Sequence, residues 1–103
     1  MLYITSEKEI QFKEALQAVY FYASWIPFHS KMTAMISKME NVFSKIEFIA
    51  IDTDQFSSQC KRFSVNSIPT LIFLKNGKEI NRIEGMPLTS AFKSMILDLN
   101  MEK

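Results

Sequence analysis

Apolar positions follow two different patterns along the chain, and the two patterns alternate. Continuous apolar or aromatic runs are typical of strands that are covered on both faces. Apolar residues that recur at three- and four-residue steps are typical of amphipathic helices. The runs of β-prone and apolar residues predict strands at residues 2–5, 18–23, 47–52, 71–74 and 79–84.

The first two helices are predicted from a capping box and from an apolar stripe. Ser6 and Glu9 have the spacing at which each side chain bonds the other residue's free backbone N–H. This predicts a helix over residues 7–16, with Ile10 and Ala15 on its inner side. The second helix is predicted to begin near Pro27, because proline suits a first helical position. Its inner stripe is predicted to contain Met32, Met35, Ile36, Met39 and Phe43.

A third, short helix is predicted from the spacing of Phe56, Cys60 and Phe63, which stand at i, i+4 and i+7 and so share one helical face. This pattern makes Cys60 a small buried apolar group. No neighbouring motif would lower the pKa of its thiol. A reactive thiol at this position is therefore the less favoured interpretation.

The end of the chain is predicted to form a hairpin and a last helix. Asn76-Gly77 is the strongest short hairpin signal and joins the last two strands, and Gly85 marks a turn. A helix is predicted over residues 89–99. The full order β-α-β-α-β-α-β-β-α predicts an α/β fold. We expect one domain over residues 1–103, a three-layer sandwich with a mixed sheet of about five strands flanked by four helices.

Composition limits the classes of partner. The 103 residues are 48% apolar and 13% aromatic, which excludes disorder, and the net charge of +1 comes from mixed charges without a basic face. We therefore expect no nucleic-acid and no membrane partner. The longest apolar stretch is interrupted by Ser24 and Pro27, no secretory signal is visible, and Cys60 is the single cysteine. A cytoplasmic location is expected.

Metal binding was considered at Asp52 and Asp54, which stand two apart after a predicted strand. A calcium loop would also need a glycine and a later bidentate glutamate, and both are missing. The two aspartates are predicted to end the strand and to cap the short helix that follows. No metal and no other cofactor is expected.

The order of elements, together with several short motifs, resembles the thioredoxin family over essentially the whole chain. The motifs are Phe21-Tyr22-Ala23-Ser24-Trp25, Ile51-Asp52-Thr53-Asp54, Ser67-Ile68-Pro69-Thr70-Leu71, Lys75-Asn76-Gly77-Lys78 and Gly85. The resemblance implies a thioredoxin-like fold in which Pro69 follows a cis peptide bond and faces the tip of the second helix. It also implies that the Pro69 loop pairs with the backbone of a bound extended substrate.

The chain departs from the family at the positions that carry the family's chemistry. The resemblance implies Cys-x-x-Cys directly after Trp25, whereas the next four residues here read Ile-Pro-Phe-His. Ile26 and His29 therefore stand at the two cysteine positions, and dithiol exchange needs a thiolate and a second, resolving thiol. The family's buried acid and the lysine beside it correspond to Tyr20 and Phe48. Dithiol–disulfide oxidoreductase activity is not expected, and no catalytic residue is assigned.

Other chemistry at His29 has little support in the sequence. Ser30 follows directly, but adjacent helical residues do not face each other and no nearby acid would orient the imidazole. No second histidine or cysteine stands at metal-ligand spacing.

The favoured function is a redox-inactive thioredoxin-like binding or scaffold module that holds a protein or an extended peptide. Its predicted binding surface is the former active-site region, where apolar side chains surround the Pro69 loop. The predicted contact residues are Trp25, Ile26, Pro27, Phe28, His29, Ile68, Pro69 and Met86. The alternative is a divergent redox protein that acts through Cys60 alone, as a monothiol or in a mixed disulfide, in cell redox homeostasis.

Overall fold

The computed structural model describes residues 1–11 and 13–101 and the side chains among them as far as Leu99. The elements in chain order are β1 (Leu2–Tyr3), a 3-10 turn (Glu7–Glu9), β2 (Leu16–Tyr22), α1 (His29–Val42), β3 (Glu47–Asp52), α2 (Ser57–Arg62), β4 (Thr70–Lys75), β5 (Lys78–Glu84) and α3 (Thr89–Met101).

The five strands form one mixed sheet in the order β1-β3-β2-β4-β5. Strand β2 is central and runs parallel to β3 and antiparallel to β4. Strand β5 pairs antiparallel with β4 through the Asn76-Gly77 turn. Both turn residues have positive φ, 54° and 75°, which a two-residue hairpin of this twist requires. The predicted five-stranded α/β architecture and its terminal hairpin are confirmed.

The core lies on both faces of the sheet, which explains why the central strands β2, β3 and β4 have no exposed polar face. Helices α1 and α3 cover one face, where Phe92 and Ile96 of α3 are fully buried. The predicted α1 stripe is confirmed, because Met32, Met35, Ile36, Met39 and Phe43 are all buried in this cluster. The second face holds Val19, Phe21, Ile49, Ile51, Ile72 and Leu74, and α2 and Ile10 pack against it.

The predicted first helix is wrong, because the described residues of this range form only one 3-10 turn, at Glu7–Glu9. The capping box is present, but Ile10 after it is extended, with φ −81° and ψ 103°. The side chain of buried Gln17 then bonds to backbone groups of the segment that follows the 3-10 turn. Its Nε2 donates to the Gln11 carbonyl at 2.8 Å, and its Oε1 accepts from the Lys13 N–H at 3.2 Å. A helix and these bonds compete for the same backbone groups.

The number of helices is corrected accordingly. The described residues form three α-helices beside the 3-10 turn, where four helices were predicted. Ile10 packs inward as predicted, but Ala15 is exposed. Helix α1 begins at His29 rather than near Pro27. Before it, the Ile26 and His29 N–H groups donate to the carbonyls three residues earlier, in two successive turns.

Arg82 on β5 fastens the end of α2 to the sheet. Its Nη2 donates to the Phe63 carbonyl at 2.7 Å, and its Nη1 donates to the Ser64 carbonyl at 3.3 Å. Two further bonds, Nε and Nη2 to the Glu79 carboxylate at 2.7 and 2.6 Å, hold the guanidinium plane. Ser64 has a positive φ of 53° and opens the segment that leads to Pro69. Arg82 therefore positions one border of the site described below.

We expect Arg82→Met to lower the free energy of unfolding by about 1–3 kcal/mol, because charge-assisted bonds to two carbonyls are lost. Lys78→Met is the matched control: it removes a cation from the exposed start of the same strand and should change stability by less than about 0.5 kcal/mol. Urea unfolding followed by far-UV circular dichroism measures both. Equal stabilities of the two variants would show that Arg82 does not fasten α2.

Candidate functional site

Four loops meet at one end of the sheet. Phe21 pairs with Thr70 and Tyr22 pairs with Asp52, so the residues after β2 and β3 lie beside those that precede β4. Thr70 also pairs with Glu84, which adds the loop after β5. All the residues predicted to form the binding surface belong to these loops or to the first residue of α1.

The loop before β4 is held by bonds to its neighbours. The Ile68–Pro69 peptide bond is cis. The Thr70 Oγ1 donates to the Ser67 carbonyl at 2.7 Å, and the Pro69 carbonyl accepts from the Gly85 N–H at 2.8 Å. Pro69 is buried while Ile68 is half-buried. The loop therefore has a fixed backbone and presents Ile68 at its surface.

Exposed apolar side chains at this end of the sheet come from the loop between β2 and α1 and from the loop after β5. Trp25 is 67% exposed, Phe28 47% and Met86 37%, and Pro27 is also exposed. Ile26 is only 7% exposed and so lies beneath these side chains. We call Trp25, Pro27, Phe28, Met86 and the half-buried Ile68 the Trp25 surface.

A hydrogen bond fixes the Trp25 indole. Its Nε1 donates to Asp54 Oδ2 at 3.0 Å, and the Asp54 N–H donates to Asp52 Oδ1 at 2.9 Å. The prediction that these aspartates cap the next helix is wrong. Helix α2 has Phe56 at its N-cap position and no side-chain capping bond. The carboxylates instead hold the loop and orient the exposed ring.

Beside the Trp25 surface, a tyrosine hydroxyl bonds to the imidazole. Tyr20 is fully buried, and its hydroxyl oxygen lies 3.0 Å from His29 Nδ1. The Tyr22 ring stacks on the imidazole with centroids 4.9 Å apart and planes at 15°, and on the Tyr20 ring at 5.2 Å and 19°. His29 is half-buried. We call Tyr20, Tyr22 and His29 the aromatic stack.

The aromatic stack disfavours negative charge. Burial raises the pKa of Tyr20 well above its ordinary value, and the Tyr3 and Tyr22 hydroxyls add to the rise. Burial also raises the pKa of Tyr22, as does the Asp52 carboxylate. Phe48 is buried in the same core cluster as Tyr20. The interior behind the site therefore consists of protonated phenols and apolar side chains.

The contacts of His29 show whether it is placed to activate a hydroxyl or to bind a metal ion. A phenol, not a carboxylate, lies at Nδ1, so the acid that would orient an imidazole for hydroxyl activation is not what the structure places there. Within residues 1–11 and 13–101, no group of three or more His, Cys, Asp or Glu side chains could hold a metal ion.

Cys60 lies in α2 and packs against the cluster on the second face of the sheet. The residue is half-buried. Burial raises the pKa of its thiol, despite a backbone hydrogen bond that acts in the opposite direction. Since the thiolate is the reactive form, this environment reduces reactivity.

Sequence reasoning missed the two bonds that organise the site, Tyr20 to His29 and Trp25 to Asp54. A signal for the first was present: Tyr20 and Tyr22 alternate onto the same face of β2, the face that the following helix covers. For the second, no local pattern joins residues 29 positions apart in the chain.

We expect the raised pKa of Tyr20 to make stability depend on alkaline pH. Above about pH 10, ordinary tyrosine ionises, so the unfolded chain loses a proton that folded Tyr20 keeps, and the free energy of unfolding falls. Tyr20→Phe should reduce this fall strongly, whereas Tyr3→Phe, at an exposed ring whose hydroxyl only adds to the rise in the pKa of Tyr20, should reduce it less. Urea unfolding from about pH 8 to about pH 11 measures the slopes. The same slope for Tyr20→Phe and the wild type would contradict a buried, protonated Tyr20.

Comparisons with known proteins agree on one family. The sequence model of the family Thioredoxin matches residues 4–98. Thioredoxin-2 of Saccharomyces cerevisiae is 36% identical over 72 residues, which cover 70% of this chain and 69% of that protein. Thioredoxin H2 of Arabidopsis thaliana is 35% identical over 77 residues, 75% of this chain but only 58% of that longer relative.

The folds agree as well. The crystal structure of thioredoxin NaTrxh from Nicotiana alata superposes with a TM-score of 0.86 at 27% identity, over 94% of this chain and 90% of that chain. In the part of the chain that is described, no helix has the length and apolar character needed to cross a membrane. The match over residues 4–98 and the identity to Thioredoxin-2 show that the chain belongs to the thioredoxin family.

Proposed function

We propose that this protein is a redox-inactive member of the thioredoxin family that binds an extended segment of a partner protein at the Trp25 surface. The observation that carries the proposal is the exposure of Trp25 and Phe28, 67% and 47%, beside the loop that contains the cis Ile68–Pro69 bond. Exposed apolar patches with polar rims are typical interaction sites. Aromatic side chains are enriched among the residues that dominate binding energy.

The loss of dithiol chemistry is the first part of the proposal. The family resemblance puts its two cysteines at Ile26 and His29, and this chain has a single cysteine, Cys60. Neither an isoleucine nor a histidine supplies a thiolate or a resolving thiol. In the structure Ile26 is buried and His29 is bound to Tyr20. Cys60 lies in another helix and its pKa is raised by burial.

The interior behind the site supports the same interpretation. Proton transfer to and from thiols in the family uses a buried acid, which corresponds to Tyr20, and its basic neighbour corresponds to Phe48. Tyr20 is fully buried and Phe48 is 2% exposed. Protein interiors admit such large rings only where the surrounding side chains fit them. The replaced positions are thus integrated into the packing of the core.

An extended peptide fits the site because two kinds of contact are available to it. Its side chains would lie on the Trp25 surface, and its main chain would pair with the loop at Ile68, as in β-strand addition. The Thr70 and Gly85 bonds hold that loop in place, so little conformational entropy is lost there on binding. The partner we propose is a protein in the cytoplasm, not a nucleic acid or a membrane, and no cofactor takes part.

We expect the Trp25→Ala/Phe28→Ala double variant to bind at least about tenfold more weakly than the wild type, since truncation of aromatic hot spots costs about 2 kcal/mol or more. The probe is the tightest peptide from an array of capped seven-residue peptides with apolar residues at alternate positions. Isothermal calorimetry measures its affinity. The matched control is Val42→Ala/Leu97→Ala, which truncates side chains that are 59% and 43% exposed on the helices and should leave affinity unchanged.

Two results would contradict peptide binding at this surface. One is an array on which no peptide binds. The other is a peptide whose affinity is the same for the wild type and for the Trp25→Ala/Phe28→Ala variant, while circular dichroism shows that both are folded.

We expect the native protein to catalyse no reduction of insulin disulfides and Cys60 to react slowly with a thiol reagent until urea unfolds the chain. Burial and a raised pKa both oppose formation of the thiolate. Cys60→Ser should behave like the wild type in the insulin assay. Fast labelling of native Cys60, or turnover that Cys60→Ser abolishes, would favour the alternative function, a redox protein that acts through this single thiol.

A further inference from the structure

The sole histidine of the chain is the polar group best placed to select what the Trp25 surface binds. It is the first residue of α1 and follows Phe28 directly. It stacks on Tyr22, and its Nδ1 lies 3.0 Å from the Tyr20 hydroxyl. Two contacts of different kinds therefore fix both the plane of the imidazole and its rotation within that plane.

The hydrogen bond determines which nitrogen carries the proton. The Tyr20 side chain is fully buried, and its hydroxyl has one partner among the described residues, the imidazole. If the hydroxyl only accepted, its own buried O–H would be left without a partner, which is costly; we therefore assign the hydroxyl as the donor and Nδ1 of the neutral imidazole as the acceptor. The proton of neutral His29 is then on Nε2, because a neutral imidazole has one donor and one acceptor.

The Nε2–H group is left for an external acceptor. No described residue accepts a hydrogen bond from it. Among the described residues, the one fully buried side-chain atom that lacks a hydrogen-bond partner is Gln59 Oε1. Nε2 of His29 is therefore not sealed inside the protein. Nε2 lies across the ring from the bonded Nδ1, so it points away from buried Tyr20. The half-buried position of His29 lets a ligand reach it.

The charges at this end of the sheet indicate which acceptor fits. The four loops and the element ends that border them, residues 23–30, 52–56, 64–69 and 84–88, contain Asp52, Asp54 and Glu84 but no lysine or arginine. Glu84 interacts with Arg82, but a carboxylate on the ligand would still meet the like charges of Asp52 and Asp54, which disfavour it. An uncharged carbonyl would not.

We infer that His29, with its tautomer fixed by Tyr20, is a specificity-determining residue that donates Nε2–H to a main-chain carbonyl of a neutral or basic extended peptide on the Trp25 surface. The inference rests on the proposed function and adds the chemistry of the partner to it. Tyr20 acts through His29 and is a positioning residue. The apolar contacts then supply affinity, while His29 and the acidic loops select the ligand.

The experiment compares three variants with the array-selected peptide described above. His29→Phe keeps an aromatic ring for stacking but has no donor, and affinity should fall about three- to tenfold, the loss of one hydrogen bond. His29→Gln places an N–H donor close to the position of Nε2 and should bind within about twofold of the wild type. Tyr20→Phe should weaken binding to an intermediate degree, because the ring loses its fixed orientation.

Nitrogen-15 NMR of the single histidine supplies a readout that a purely structural role would not change. Neutral His29 should show the Nε2–H tautomer, and Tyr20→Phe should change the Nδ1 signal. On addition of the peptide, the Nε2-bound proton should exchange with water more slowly. Replacing the residues between the apolar positions of the peptide by lysine should not weaken binding, whereas replacing them by glutamate should.

The possible failures are distinguishable. If the peptide binds through Trp25 and Phe28 but His29→Phe binds as tightly as the wild type, this inference is wrong and the proposed function stands. An Nδ1–H tautomer, or tighter binding of glutamate-rich peptides, also overturns the inference. If no peptide depends on Trp25 and Phe28, the proposed function itself is wrong.

Discussion

The double pairing of strand β2 is the constraint on which the site depends. Bonded to β3 on one side and to β4 on the other, and covered on both faces, β2 fixes where its last residues end relative to three other loops. Its alternation sends Tyr20 and Tyr22 toward α1 and Phe21 toward α2. A shift of one residue in this register would turn both tyrosines to the other face and would separate them from His29. The aromatic stack is therefore a direct consequence of strand register.

The same geometry explains how the site can keep its shape without thiols. At the two positions where the family resemblance implies cysteines, Ile26 packs inward and His29 bonds to a buried phenol. A phenol in this interior remains protonated, because burial raises its pKa, and so costs no buried charge. The outer positions, Trp25 and Phe28, remain exposed. The inner residues of this segment therefore pack into the core, while the outer ones remain available for contact.

Much of the fold was predictable because its signals are local. Continuous apolar strands, the methionine stripe of α1 and the Asn76-Gly77 turn each depend on spacing alone, and each is present. The prediction of a first helix is wrong because the Gln17 side chain bonds to backbone groups that a helix would use. A local pattern does not reveal this competition between residues. The capping box at Ser6 was real, but a cap starts a helix without determining its length.

The location of the site was predictable from the sequence, but the hydrogen bonds within it were not. The family motifs located Trp25 and Pro69, but Asp54 was assigned to the wrong neighbour, because it bonds to an indole 29 residues away and not to α2. Ile26 is predicted to be a contact residue together with Trp25 and Phe28, but its side chain is buried. The resemblance marks Tyr20 only as the position of the family's buried acid; the structure gives it a partner in His29. Long-range side-chain bonds of this kind require the packed fold.

We propose that the end of the sheet around Trp25 and Pro69 holds a peptide. A backbone amide chemical-shift map with the array-selected peptide tests it most directly, because it locates the contact without any substitution. We expect the largest shifts at residues 24–30, 67–70 and 85–88, around the Trp25 surface. Shifts centred on α2 near Cys60, or at the opposite end of α1, would contradict it.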